Sequence, residues 1–168
     1  MGRGQRIASI QLRRNATSSL ADHNQLTPLI RVSNQAIGEV KFVLLHHDGC
    51  TRANFHYRIE PNGEVLHLFP TSTRGQHPKS LGIVLTGEFD TETPSDKQIS
   101  ALKSLLVDLK LRFPSIAVGA HRQVRGDSKT SCPGTKFPMK DLSQWTIKEL
   151  IEIRDERIRT DIESQYGP

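Results

Sequence analysis

The residues best suited to chemistry in this sequence lie far apart along it: a histidine pair near position 46, a histidine at 121 and a cysteine at 132. His121 closes a short apolar run. Cys132 sits in the stretch Gly119–Pro138, which reads Gly-Ala-His-Arg-Gln-Val-Arg-Gly-Asp-Ser-Lys-Thr-Ser-Cys-Pro-Gly-Thr-Lys-Phe-Pro. An imidazole and a thiolate are good zinc ligands, and a catalytic zinc site takes three protein ligands and keeps one position open. The best source of the third is the apolar run Val40-Lys41-Phe42-Val43-Leu44-Leu45, which ends at His46-His47. Ligands at separate strand ends converge if the strands are neighbours in one sheet. Zinc so held lowers the pKa of water toward about 7 and polarises a carbonyl, the needs of amide hydrolysis. Taken singly, each of these residues is more often a packing or hydrogen-bonding group; together they point to a metal.

The elements that must position these groups can be read from periodicity. Val40 to Leu45 is a near-continuous apolar run, expected to be a strand buried on both faces. Asn54 to Phe69 reads as a hairpin with Pro61-Asn62-Gly63 at its turn. Leu81 to Leu85 is a second buried strand, closed by Thr86-Gly87. Thr93 as N-cap and Pro94 at the first helical position predict a helix start. Ile99, Leu102, Leu105, Leu106, Leu109 and Phe113 follow at helical spacing, and Pro114 ends the helix. Ile116 to Ala120 is a last short strand delivering His121, and Leu142 to Ile162 predicts a terminal helix, or two, with Trp145 on the core. Scattered apolar residues between Leu26 and Ile37 suggest an irregular segment or short helix. The fold class expected is α/β: a single domain with a central mixed, mostly buried β-sheet flanked by helices and the metal site at strand ends.

Bulk properties narrow the function classes. A chain of 168 residues is one domain by length. With 35% hydrophobic and 24% charged residues it has the composition of a soluble globular protein. The net charge of +5 owes much to Arg3, Arg6, Arg13 and Arg14, so residues 1–21 are expected to be a flexible basic arm and residues 22–168 the folded domain. No aromatic interleaving or nucleic-acid motif accompanies that charge, so no nucleic-acid partner is expected; any other anionic polymer would attract it equally well. No apolar run approaches the roughly 20 residues of a membrane span, and Met1 to Arg6 lacks the apolar core of a secretory signal. Localisation is left open by these features, and nothing in the sequence demands more than a monomer. Cys50 and Cys132 do not make a disulfide framework, and a zinc-bound Cys132 argues against their pairing; Cys50 is expected to be a small, buried or half-buried residue.

Several segments in order carry a family resemblance. They are Val43-Leu44-Leu45-His46-His47, His56-Tyr57-Arg58-Ile59-Glu60-Pro61-Asn62-Gly63-Glu64-Val65, Gln76-His77, Ser80 through Gly87, and Ala120-His121-Arg122 through Thr130-Ser131-Cys132-Pro133-Gly134. From roughly Glu39 to Trp145 the chain resembles the zinc-dependent N-acetylmuramoyl-L-alanine amidases, with the animal peptidoglycan recognition proteins and the phage amidase lysozymes. The resemblance implies zinc held by His46, His121 and Cys132, and a peptidoglycan or muropeptide partner. It takes the first residue of the His46-His47 pair as ligand, which agrees with the opposite orientation of neighbouring strand side chains. It places Thr130, with Lys129 beside it, where the tetrahedral intermediate is stabilised, and His77 at the substrate cleft.

Two positions depart from the family pattern. Phe55, expected with His77 to touch substrate, stands where the phage enzymes and active recognition proteins carry a tyrosine, and Val84 stands where other bacterial amidases have a glutamate. Glu88, Asp127 or His56 are the candidates to replace the missing general base. The implied reaction is hydrolysis of the amide between N-acetylmuramic acid and L-alanine. The intact ligand set favours that enzyme; Phe55 and Val84 favour the alternative, a module that recognises muropeptide without cutting it. A third class, a lysozyme-like protein that also binds a polymerase, finds no support in the residues.

Overall fold

The computed structural model describes residues 39–50, 54–126 and 129–166. The expected basic arm, the segment between Leu26 and Ile37, and Asp127 lie outside them. Five strands form one sheet in the order β3-β2-β4-β1-β5, where β1 is Phe42–His47, β2 Tyr57–Ile59, β3 Val65–His67, β4 Ser80–Leu85 and β5 Ala117–Ala120. Pairing of β1 with β4, β1 with β5 and β2 with β4 is parallel, and the β2–β3 hairpin is antiparallel. The sheet is therefore mixed, as expected, with two long helices: α1, Asp96–Arg112, and α2, Met139–Tyr166.

Alternation along β1 and β4 divides the sheet into two faces of different use. Val43, Leu45, Leu81, Ile83 and Leu85 join Leu102 and Leu106 of α1 and Leu142, Trp145 and Leu150 of α2 in one apolar core. On the other face, Leu44, His46 and Val84 are equally buried yet stand outside that core. The period of two thus separates a packing face from a face that carries polar groups. Phe42, which the continuous apolar run predicted to be buried, is 46% exposed at the start of β1. The strand begins there rather than at Val40, so the run is buried on both faces only from Val43 onward.

The helix α1 begins two residues later than the Thr93–Pro94 signal predicted. Its N-cap is Ser95, whose hydroxyl oxygen accepts the Gln98 amide at 3.1 Å while Gln98 Oε1 accepts the Ser95 amide at 3.0 Å. This reciprocal box satisfies two amides that Thr93 would have left exposed. Gln98 does more than cap: its buried side-chain amide donates to the carbonyls of Ile59 and Thr86, tying the helix start to the ends of β2 and β4. The terminal helix is continuous and begins at Met139, three residues before the expected Leu142. Trp145 packs on the core as predicted, 6% exposed.

The short hairpin is held to the central sheet by a fully buried histidine. His56 Nδ1 accepts the Gly82 amide at 3.0 Å, and its Nε2 donates to the Thr73 carbonyl at 2.9 Å. Both ring nitrogens are thus committed to backbone, which excludes His56 as the replacement general base considered above. Burial, above all, lowers its pKa from the ordinary value of 6.5. The sign follows: the unfolded chain takes up this proton near pH 6.5 and the folded chain only below it, so the contribution to stability is full above that value and lost as pH falls beneath it. A His56→Ala variant is expected to lose about 2–4 kcal/mol in denaturant unfolding. A Tm–pH profile of His56→Asn should be flatter below the ordinary histidine pKa than that of the parent.

Candidate metal centre

Register alone brings the two histidines of the candidate site together. Leu45 of β1 is level with Ala120 of β5, so the next residue on each chain, His46 and His121, emerge side by side at the same edge of the sheet. Their ring centroids are 4.7 Å apart. After Ala120 the chain turns into a short 3-10 helix, His121–Gln123, and the Gln123 side-chain oxygen accepts the Ala120 amide at 2.6 Å, fixing the turn. Both histidines are buried. His47 points to the other side, where its Nδ1 lies 3.3 Å from a Glu88 carboxylate oxygen and its ring packs near Phe89. Glu88 thus lies against His47, on the side of β1 away from the cluster around His46.

Cys132 reaches the same spot on a loop clamped from two sides. Arg122 donates its backbone amide to the Cys132 carbonyl and its guanidinium to the carbonyls of Ser131 and Gly134. Asp90 accepts the Ser131 hydroxyl at 2.6 Å and the Thr135 amide at 2.8 Å. Those two bonds hold the Asp90 carboxyl below its usual range. At Gly134, φ is +121° and a Cβ would lie 2.3 Å from the Phe89 carbonyl carbon, so only glycine lets the loop lie this close. Thr130 accepts the Cys132 amide through its hydroxyl oxygen at 3.1 Å, which shapes the loop and leaves its hydrogen free to donate elsewhere. Lys129 is exposed.

The donor atoms converge. Cys132 Sγ lies 3.7 Å from His46 Nδ1. A fourth group is there as well, expected from sequence only as a small, buried or half-buried residue: Cys50 Sγ is 3.6 Å from His46 Nδ1 and 3.3 Å from His121 Nδ1. Ligand atoms of His46, Cys50, His121 and Cys132 all fall within 4.8 Å of one another, so the cluster is able to bind a metal. The signal that could have found Cys50 is its position four residues after His46, a common interval for ligands on one turn. Two imidazoles and two sulfurs are a donor set that suits zinc and other borderline-soft metals. Burial pushes the Cys132 thiol up to about 12, so in the absence of a cation it is neutral; a metal ion is what would make it a thiolate.

Around the cluster stand the other residues singled out from sequence. The Phe55 ring is 4.8 Å from that of His46, and the His77 ring is 5.1 Å from that of His121. Val84 is level with His46 in the β1–β4 register and fully buried, so an apolar side chain occupies the place beside that imidazole. His77 also lines a cleft of about 460 Å3 together with Leu44, Val118, Gly119, Gln123 and Arg125. A larger hollow of about 560 Å3 lies between the start of α1 and the start of α2, but its lining holds neither histidine nor cysteine.

A mixed sheet with a buried His/Cys cluster at the strand ends defines the class, an α/β domain with a candidate metal centre. A family model described as N-acetylmuramoyl-L-alanine amidase matches residues 33–135, more than half of the 168-residue chain, and the protein belongs to that family. Among curated proteins, it is similar to peptidoglycan-recognition protein SC2 of Drosophila simulans and of Drosophila melanogaster, 29% identical over 106 residues. The match covers 58% of this chain and 55% of each relative, so the chain spans about half the length of the curated relatives it matches. Among solved structures, the amidase LysC of Clostridium intestinale superposes with a TM-score of 0.56 at 21% identity, over 63% of this chain and 84% of that one. A mutant of Drosophila PGRP-LB in complex with tracheal cytotoxin gives 0.55 at 24% identity, over 64% and 82%. These structural likenesses establish the fold.

Removing the Arg122 clamp tests how the loop supports the cluster. An Arg122→Ala variant is expected to bind one metal ion per chain as the parent does, with affinity reduced by roughly 10–100-fold in chelator competition. Gly134→Ala should be worse, losing metal binding and thermal stability together.

Proposed function

We propose that the protein is a zinc-dependent N-acetylmuramoyl-L-alanine amidase, acting on the amide between the lactyl group of N-acetylmuramic acid and L-alanine. The observation that carries this reading is the convergence of His46, His121 and Cys132 donor atoms from three separate segments onto one point beside a cleft. A zinc ion held there would supply Lewis acidity that polarises the amide carbonyl and activates water near neutral pH. The chain's own residues do the rest. His77 and the apolar wall formed by Leu44 and Val118 bind and orient the muropeptide, while Arg125 offers a cation to an acidic stem peptide. The Thr130 hydroxyl hydrogen, with the Lys129 charge next to it, assists the oxygen on which negative charge develops. Phe55, packed on His46, keeps bulk water from that side of the site.

A second reading, muropeptide recognition without hydrolysis, is favoured by specific residues. Phe55 and Val84 flank His46 with carbon where a proton-transfer group is needed, His56 has both ring nitrogens bonded to backbone, and Glu88 lies against His47. Missing general acid–base help costs an enzyme typically about 10²–10⁴-fold in rate.

The purified protein is expected to hold one zinc and to release stem peptide from peptidoglycan slowly, with mass analysis of the digest identifying free L-alanine amino termini. A Cys132→Ala variant should lose zinc and turnover together. Phe55→Tyr, which restores a hydroxyl beside His46, should raise kcat by on the order of tenfold or more with zinc content unchanged. Zinc and muropeptide binding in the parent with no product in any digest would leave recognition as the function.

A further inference from the structure

We propose that Cys50 is an inhibitory fourth ligand: its thiolate takes the corner that a catalytic zinc site leaves open, so that the resting protein holds its ion in a closed shell of two cysteines and two histidines. This rests on the reading of His46, His121 and Cys132 as a zinc site and adds regulation to it.

The geometry is that of tetrahedral edges. Zinc lies about 2.0–2.1 Å from nitrogen and about 2.3 Å from sulfur, which sets ligands in a tetrahedron roughly 3.4–3.8 Å apart. The contacts of Cys50 Sγ with His121 Nδ1 and His46 Nδ1, and of Cys132 Sγ with His46 Nδ1, are 3.3, 3.6 and 3.7 Å. The widest separation in the cluster is no more than 4.8 Å, so about 1 Å of closure completes the figure. Ordinary hydrogen bonds account for this arrangement poorly. A thiol has one hydrogen to give, yet Cys50 Sγ faces two ring nitrogens; a ring nitrogen carries one proton or one lone pair, yet His46 Nδ1 faces two sulfurs. A single cation among them satisfies every donor at once.

Cys50 is brought back over the site by a tight turn at the end of β1, in which its amide donates to the His47 carbonyl at 2.9 Å. Gly49 sits in this turn, where an added Cβ would press on the Glu88 carboxylate at 2.5 Å and the His47 ring at 2.8 Å. Cys132 is fully buried, but Cys50 is only half-buried, so of the two sulfurs it is the one that can leave.

Charge and coordination number give the consequence. With His46, His121 and Cys132 alone, a zinc centre carries a net +1 and an open corner; a second thiolate makes it neutral and closes it. A neutral, four-ligand centre holds its ion more tightly and activates neither water nor a carbonyl well. Hydrolysis then requires Cys50 to swing away on its turn, while muropeptide can still occupy the neighbouring cleft.

The test uses the full chain loaded with zinc or cobalt(II), as parent, Cys50→Ala, Cys50→Ser and Cys132→Ala, each checked for folding by its unfolding transition. X-ray absorption of the parent should count two sulfurs at the metal, and Cys50→Ala one sulfur with a light atom in the vacated place. Azide should leave the visible spectrum of the cobalt parent unchanged and shift that of both Cys50 variants. Metal affinity should fall by on the order of tenfold or more in Cys50→Ala. One sulfur in the parent, with the same azide response in parent and Cys50 variants, would remove Cys50 from the site and leave the three-ligand reading standing. A parent that takes up no stoichiometric zinc, or a Cys132→Ala variant that keeps it unchanged, would instead overturn the underlying site.

Discussion

Everything at this site depends on one constraint, the in-register parallel pairing of β1 with β4 and β5. Because β1 lies between them and all three run the same way, their carboxyl ends emerge at one edge of the sheet. Crevices at the carboxyl ends of parallel strands are where α/β proteins gather ligands. Here the pairing of Leu45 with Ala120 delivers one imidazole from each strand, and the pairing of His46 with Val84 sets what stands beside the first of them. The helices contribute by packing on the opposite face, which frees this one for polar groups.

The third element, the loop carrying Cys132, has no regular structure to hold it and is held instead by side chains. Arg122 binds it from the turn that carries His121, and Asp90 binds it from the segment after β4. Each of these segments begins where a strand of the sheet ends, so the loop inherits the geometry of the sheet at one remove. This is why a sulfur on an irregular stretch can sit within reach of two histidines on regular ones.

Much of this was legible in the residues. The strands were signalled by apolar runs and the hairpin by Pro61-Asn62-Gly63, because burial and turn chemistry are local properties. His46 and His121 stood out because each follows such a run, and Cys132 because it is a thiol in a loop rich in Gly, Pro and Ser. The start of α1 was misplaced because Thr93-Pro94 is a reasonable cap by itself, and only the reach of Ser95 and Gln98 to each other and to the strand ends decides against it. Cys50 was passed over because its neighbours are three imidazole and sulfur groups, two of them more than seventy residues away. His56 and Glu88 read as available bases until their partners, the Gly82 amide, the Thr73 carbonyl and His47, came into view. Roles that depend on who sits opposite are not written in any one segment.

The two faces of β1 have a consequence for how this protein can vary over time. His46 and His47 differ only in parity, one turned to the sulfurs and the other to Glu88 and Phe89. Deleting or inserting one residue within the strand would exchange them and turn Val43 and Leu45 out of the core at the same stroke. Lineages descended from this sequence are thus free to drift in side-chain size along that segment, but its length is locked.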